Sequence, residues 1–269
     1  MTNYNSYLDE VIDLARNAGT EALKYYRKDY SIEEKEDDSP VTEADYASED
    51  ILISGLKSTD PGIIAEEAGL LPGKSEDSYW IVDPLDGTQD FIDKTGEFSI
   101  MVGLLVDGEP SMGVVFAPAR EKLWYAVKNE GAFMVENGAE TRIQVAGKEN
   151  LEGYVLIASR NHFSSRDEAI AGQMGVKDIT RMGSLGIKFC AIAEGRADIV
   201  YYTTDRLGIW DCCAPQVILE EAGGEAFDLR GRELVYDLER RKMAHGVVGI
   251  GGGCQREVVE NLENVSAGG

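Results

Sequence analysis

A chain of 269 residues with 43% hydrophobic content can bury a sizeable core, as one large domain or two of ordinary size. Its 49 acidic residues against 26 basic ones leave a formal charge of −23, which disfavours attraction to a nucleic-acid polymer or an anionic membrane and means that a phosphate ester would need cations brought in locally. Two histidines exclude a histidine-rich zinc or iron site, and four cysteines with no CxxC pair read as core filler in a reducing cytoplasm rather than as a disulfide framework.

Leu8, Val11, Ile12, Ala15, Ala18, Ala22, Leu23 and Tyr26 recur at helical spacing and predict a long opening amphipathic helix. Asp9, Glu10, Asp13 and Arg16 within it do not give the basic-then-apolar layout of a signal peptide. No apolar run approaches the roughly 20 residues of a membrane span. Charged residues 31–38 read as a loop or an exposed hairpin tip, and a second helix is expected from about Glu43 to Leu56 with Thr42 as its N-cap. From Gly62 to Gly138 the pattern turns to short apolar runs, at 63–65, 80–82, 98–106, 112–116, 123–127 and 132–135. Turns such as Asp107-Gly108 and Asn137-Gly138 separate several of them, so the segment reads as a mostly antiparallel meander.

Polar residues 147–152 mark a candidate boundary between residues 1–148 and residues 149–269. Beyond it, strands at 154–158, 178–181, 198–202 and 247–250 alternate with helices near 166–174, 184–194, 211–222 and 255–265, with a further short strand after 222. Alternation of that kind predicts an α/β layer.

Two stretches carry the chemistry: Trp80-Ile-Val-Asp-Pro-Leu-Asp-Gly-Thr88, and Trp210-Asp211 running to Gly223-Gly224. Asp, Pro and Gly all favour turns, so Asp83 and Asp86 also read as an ordinary turn. Against that, an apolar strand delivers Asp83 to the sheet end where sites collect, and Gly87-Thr88 supplies backbone N–H groups suited to phosphate oxygens. A second apolar run ends likewise in Glu66-Glu67. Several carboxylates without histidine or thiolate suit Mg²⁺ far better than zinc. Asp211 at a helix start has the plain reading of an N-cap, and Asp45 early in a helix that of a residue favouring the dipole.

These residues resemble the Mg²⁺-dependent, lithium-sensitive phosphatases of the inositol monophosphatase superfamily. The likeness is an ordered set covering nearly the whole chain: Ser39-Pro-Val-Thr-Glu-Ala-Asp45, Ala65-Glu66-Glu67, Asp83-Pro-Leu-Asp-Gly-Thr88, Gly183-Ser184, and Trp210-Asp211 through Glu221-Ala-Gly-Gly224. It implies a layered αβαβα sugar-phosphatase sandwich of mixed α+β and α/β character. It implies that Glu66, Asp83, Asp86, Asp211 and the Leu85 carbonyl ligate two or three Mg²⁺ ions, and that Gly87 and Thr88 hold phosphate. Asp45, paired with the Thr88 hydroxyl and assisted by Glu66, would orient and deprotonate the attacking water.

Within the superfamily the chain is similar to the 3'(2'),5'-bisphosphate nucleotidases. Lys35-Glu-Asp-Asp-Ser-Pro-Val-Thr42, Asp90-Phe-Ile with Gly96-Glu-Phe98, Val114-Val-Phe-Ala-Pro118, Ser159-Arg-Asn-His162 and Lys188-Phe-Cys190 carry this likeness. Inositol-type enzymes usually place glutamate seven residues before the Trp-Asp aspartate, where this chain has Thr204; Arg181-Met-Gly-Ser184, in turn, looks more like the inositol branch. The expectation is hydrolysis of adenosine 3',5'-bisphosphate to AMP and phosphate, with an inositol-1-monophosphatase or broad sugar-phosphate phosphatase as the alternative. Asp86, Gly183, Ser184 and Asp211 are expected at the substrate, with Lys188, Arg160 and His162 gripping a second phosphate or a base. A small phosphorylated substrate is the expected partner, in a monomer or homodimer. Plainer readings are a surface lysine for Lys188, an ordinary loop for Arg160 and His162, and a helix cap for Ser184.

Overall fold

The computed structural model describes residues 4–28, 31–34, 40–204 and 206–266. The expected tip at 35–38 and the Lys35–Ser39 part of the quoted motif lie outside them. The order is α1 (Leu8–Tyr26), β1 (Ile32–Glu34), β2 (Pro40–Thr42), α2 (Glu43–Leu56), β3 (Gly62–Ala65), β4 (Gly69–Leu71), β5 (Ser78–Asp86), α3 (Thr88–Ile92), β6 (Ser99–Val106), β7 (Glu109–Ala117), β8 (Lys122–Val127), β9 (Gly131–Glu136) and β10 (Ala139–Ile143). After a strand-free link over residues 144–154 come β11 (Val155–Ser159), α4 (Ser165–Gln173), β12 (Asp178–Met182), α5 (Leu185–Ala193), β13 (Ile199–Tyr202), α6 (Cys213–Glu221), β14 (Glu225–Phe227), β15 (Val247–Ile250) and α7 (Gln255–Ser266).

Strands β3 to β10 form an eight-stranded sheet ordered β10-β9-β8-β7-β6-β5-β3-β4, and the later strands a five-stranded sheet ordered β12-β11-β13-β15-β14. From β5 to β10 the neighbours are antiparallel, as the meander predicts, whereas β3 lies parallel to β5. β4 and β10 have no counterpart among the predicted strands. β4 has only three residues, and four of the five residues of β10 are exposed, so no run or alternation marks either.

The layers follow from which faces must be covered. On β5, Trp80 and Val82 pack with Val11 and Ala15 of α1 and Leu52 of α2, while Ile81 faces the opposite way into the core that contains α5 and α6. Both faces of the strand are apolar because both are covered. That second core also holds Ile157, Val200 and Val247 of the five-stranded sheet, so α5 and α6 lie between the two sheets. Ile170 of α4 and Val258 and Leu262 of α7 close the far side against Leu156, Ile199 and Val248. The result is a five-layer αβαβα stack, the expected fold class.

One detail of this stacking sets the site. Gly103 and Gly113 face each other across β6 and β7, and a Cβ on them would stand 2.6 Å from Cys213 Sγ and 2.2 Å from the Ala214 carbonyl oxygen respectively. The two glycines let the first turn of α6 settle directly on the sheet. That descent brings Asp211, two residues ahead of α6, alongside the C-terminal end of β5.

Candidate active site

Parallel pairing of β3 with β5 puts Ala65 beside Val82, and the Glu66 N–H donates to the Val82 carbonyl at 3.1 Å. Glu66 and Asp83 therefore leave the sheet at the same end. After Asp83 the β5–β6 register slips, and Asp83 Oδ1 accepts the Leu85 N–H at 2.9 Å while Ser48 of α2 donates to the Pro84 carbonyl at 2.7 Å. This turn carries Asp86 back over Asp83. Gly87 follows at φ 89°, a left-handed conformation that favours glycine, and Thr88 begins α3.

Asp86 is held from the side of α5. One of its oxygens accepts the Ser184 hydroxyl, the Gly186 N–H at 2.8 Å and, more weakly, the Ser99 hydroxyl at 3.4 Å. Ser184 also caps α5 by accepting the Ile187 N–H at 3.1 Å, so cap and carboxylate clasp are one residue. Asp211 departs from its plain N-cap reading and from the predicted helix start: α6 begins at Cys213, and the Asp211 carboxylate accepts the Gly208 N–H at 2.6 Å. Oxygens of Asp83, Asp86 and Asp211 lie within 4.8 Å of one another.

Asp45 reaches the same place from α2. As the N3 residue of a capping box it accepts the Thr42 N–H at 2.8 Å and hydroxyl at 2.7 Å, and its other oxygen accepts the Thr88 hydroxyl at 3.1 Å. Thr88 Oγ1 also lies 3.2 Å from the Leu85 carbonyl oxygen, which is the other acceptor within its reach.

Among the described residues no cation pairs with Asp83, Asp86 or Asp211. Burial first, then the charges of Glu66, Asp86 and Asp211, push the Asp83 carboxyl well above its usual range; burial, Asp86 and Glu66 do the same to Asp211. Burial, assisted by Glu66, pushes Asp45 up to about 6 against opposing hydrogen bonds from Thr42 and Thr88. Uncompensated buried like charges are costly, and a hard divalent cation bound by oxygen would remove the cost. The donor set fits such an ion.

Glu66, Asp86, Thr88 and Asp211 line a cleft of about 1150 Å³, with Asp83 and Asp45 buried behind them. A model of the inositol monophosphatase family matches residues 4–262. The chain belongs to the inositol monophosphatase family. It is 35% identical over 238 residues to the 3'(2'),5'-bisphosphate nucleotidase CysQ of Salmonella typhimurium, covering 85% of this chain and 93% of the relative. It is likewise 35% identical over 237 residues to the Nus factor SuhB of Pasteurella multocida, covering 84% and 86%. The solved Thermotoga maritima IMPase superposes with a TM-score of 0.82 at 29% identity, over 97% of this chain and 98% of that one. The protein is thus a phosphatase of a metal-dependent family, and no helix among its described residues is long and apolar enough to cross a membrane.

Beyond the carboxylates, further residues line the cleft. Lys188 is no surface lysine: it is 2% exposed, lines the cleft, and donates to the Tyr202 hydroxyl at 2.9 Å. His162 and Thr204 also line the cleft. Gly183 and Ser184 line it as well. Arg160 is placed differently, paired with Asp90 and Glu97 and absent from the cleft lining. Sequence reasoning missed Arg206 and Lys242, cleft residues contributed by irregular segments, with Lys242 Nζ on the Arg206 carbonyl at 3.1 Å. No spacing signal connects residues 36 positions apart on two loops. Asp90, four residues beyond Asp86 and buried, was quotable as a motif but not as a role.

Proposed function

We propose that this phosphatase is a 3'(2'),5'-bisphosphate nucleotidase, releasing phosphate from adenosine 3',5'-bisphosphate to leave AMP. The observation that carries this reading is Lys188, a buried cation with no carboxylate partner among the described residues, in the same cleft as the acidic floor. An ammonium whose hydrogen-bond partner among the described residues is a phenol hydroxyl is poorly compensated, and a second phosphate on the substrate would complete it. Arg206 and Lys242 add positive charge to the same wall. The named relative at 35% identity supports the same choice.

In this reading Glu66, Asp83, Asp86, Asp211 and the Leu85 carbonyl would hold Mg²⁺, two or three ions. When bound, Mg²⁺ would supply charge neutralisation for the phosphate oxygens and a water of lowered pKa. The protein's own groups do the positioning. Backbone N–H groups of Gly87 and Thr88 face the phosphate, and the Thr88 hydroxyl and Asp45 orient the attacking water. Asp45, with one oxygen committed to Thr42, keeps its other oxygen on the Thr88 hydroxyl, which can give its proton to Asp45 while taking the one that the attacking water loses. Lys188 takes the second phosphate, with Ser184 and Asp211 bordering the ester. Four buried free thiols suit a reducing cytoplasm.

The second reading, an inositol-1-monophosphatase or a broad sugar-phosphate phosphatase, draws on the relatives named SuhB and IMPase; Thr204 in the cleft counts against it, because a carboxylate there would hold sugar hydroxyls. The deciding experiment compares kcat/KM for adenosine 3',5'-bisphosphate and inositol 1-phosphate with Mg²⁺, with lithium titrated on the better substrate. A preference for the nucleotide above about 100-fold, roughly 2.7 kcal/mol, is expected. A flat or reversed preference moves the assignment to the broad phosphatase.

A further inference from the structure

Three sequence fragments with no role in the mechanism above meet at one point. Asp90 of α3, Glu97 just before β6, and Arg160 just after β11 form a bridged cluster. Arg160 Nε donates to Asp90 Oδ1 at 3.1 Å, and the far end of the same guanidinium donates to Glu97 Oε2. Asp90 is 3% exposed and also accepts the Thr95 hydroxyl at 2.9 Å and the Asn161 amide at 3.3 Å. Glu97 accepts the Gly183 N–H at 2.8 Å and Arg120 Nη2 at 2.7 Å. Gly183 packs so closely on Asp90 that a Cβ there would stand 2.3 Å from the Asp90 carboxyl carbon.

The cluster sits at a mechanical junction. Asp90 is four residues from Asp86 on the turn that enters α3, and Gly183 leads directly into Ser184 and Gly186, the donors that grip Asp86. Ser184 holds φ 43°, a left-handed conformation unusual for a residue with a side chain, so its backbone must be fixed by its surroundings. The Glu97 bond to the Gly183 N–H supplies that fixing from the segment that leads into β6. Without Arg160, two carboxylates would face each other beside Gly183, one of them buried. Losing one partner of such a pair leaves an uncompensated charge, and the turn moves to relieve it. Burial tends to raise the Glu97 carboxyl, but Gly183 and the two arginines outweigh it and hold Glu97 below its ordinary value, as a working ion-pair acceptor.

We propose that Arg160 is a positioning residue rather than a substrate ligand: by bridging Asp90 to Glu97 it locks the turn at Gly183 and Ser184 onto Asp86, and so supports turnover of every phosphate ester the enzyme accepts. This inference rests on the phosphatase chemistry and not on the choice of nucleotide. It divides the work between two cations that look alike in sequence. Lys188 selects the ester, and Arg160 keeps the floor in register.

The test is steady-state kinetics of Arg160→Ala and Arg160→Lys on adenosine 3',5'-bisphosphate, inositol 1-phosphate and p-nitrophenyl phosphate. It is joined by thermal melting in EDTA of Arg160→Ala, Asp90→Asn and the double variant. Arg160→Ala should lower kcat about 10–30-fold on each ester that is turned over, with KM changed less than about 3-fold, as expected for a small displacement of a reacting group. Lysine should recover only part of the loss, because it lacks the fork that spans two carboxylates. In melting, the double variant should lose clearly less than the sum of the singles, which reads the Asp90–Arg160 coupling without any metal or substrate. Glu97→Gln keeps an amide oxygen for the Gly183 N–H and serves if Arg160→Ala does not fold; about 3–10-fold lower kcat on all esters is expected from its milder displacement. A KM increase confined to the bisphosphate would make Arg160 a phosphate ligand and overturn the proposal, as would kcat values unchanged on every ester. Failure of the nucleotidase reading would show separately, as a wild-type enzyme that prefers inositol 1-phosphate.

Discussion

The floor and the wall of the cleft are built by opposite means. The floor is five carboxylates, four of them aspartates, placed by backbone: Glu66 and Asp83 by the parallel register of β3 and β5, Asp86 by the turn after Asp83, Asp211 by the descent of α6, and Asp45 by a capping box. The wall is long cations: Lys188 on α5, and Arg206 and Lys242 on irregular segments. Aspartate has little rotamer freedom to lose, whereas lysine and arginine have much. A site that must hold like charges at fixed spacing is therefore made from the first kind. A site that must choose among esters is made from the second, where one substitution retunes affinity without disturbing the chemistry.

The comparison breaks most severely at the floor. Asp83→Asn or Asp86→Asn should lower kcat/KM by at least about 10³-fold, roughly 4 kcal/mol of transition-state stabilisation. Asn at position 83 still accepts the Leu85 N–H, and it removes a charge that burial and three neighbouring carboxylates disfavour. The melting temperature of Asp83→Asn in EDTA should accordingly match or exceed that of the wild type. Mg²⁺ should raise the melting temperature of the wild type and much less that of either variant. Near-normal rates in either variant would refute the assignment of this floor.

Asp45 comes next. Asp45→Asn keeps the helix cap but cannot take a proton, and about a 10²-fold loss in kcat is expected, at the low end of general-base effects. It also tests the electrostatics of the metal-free floor. A carboxyl raised from 3.8 in the unfolded chain to about 6 in the fold binds its proton more tightly when folded. Its contribution to stability is complete below pH 3.8 and is lost as pH rises through 6. For Asp45 that loss is on the order of 3 kcal/mol. In EDTA, wild-type stability should fall between these pH values more steeply than that of Asp45→Asn; parallel profiles would show that burial does not raise the Asp45 carboxyl.

How well the sequence reveals each region follows the same division. The floor could be read because strand, turn and cap impose fixed spacings: Thr42 as N-cap and α2 from Glu43 to Leu56 agree with the expected boundaries, and Asp83 to Thr88 form the expected turn. Asp211 was readable as a member of the carboxylate cluster but not as to its local structure, because whether a helix starts at 211 or 213 depends on Gly103 and Gly113 admitting α6 to the sheet. The wall was hardly readable. Lys188 looks like any helical lysine until the two sheets close over α5, and nothing local to Arg160 announces its ion pairs with Asp90 of α3 and with Glu97 just ahead of β6. Such pairings lie 63 to 70 residues apart and leave no local pattern.

On the wall the largest effect belongs to Lys188. Lys188→Ala should raise KM for adenosine 3',5'-bisphosphate about 10-fold or more, near 1.4 kcal/mol, with little change for a monophosphate ester. Lys188→Met, which keeps most of the buried volume, separates lost charge from lost packing: the same KM shift with better stability assigns the effect to charge. Equal KM changes on mono- and bisphosphates would remove Lys188 from recognition and leave the cleft wall without its anchor.

His162 should matter least, and the reason is its charge state. Partial desolvation in the cleft, then the nearby Arg206 and Lys188 cations, push its imidazole below the ordinary value, with Asp90 opposing only weakly. At neutral pH it is therefore an uncharged hydrogen-bonding group among cations, adding no attraction for phosphate. His162→Asn, which retains a donor and an acceptor, should leave KM within about 3-fold, the scale of one neutral hydrogen bond. Substrate phosphate ionises near the same pH, so the informative quantity is the ratio of kcat/KM between wild type and variant, in which that ionisation cancels. The ratio should stay flat from about pH 6.5 to 8. A ratio that grows as pH falls through this range would mean that bound phosphate recharges His162, and the wall would then hold one more working cation than its geometry alone assigns.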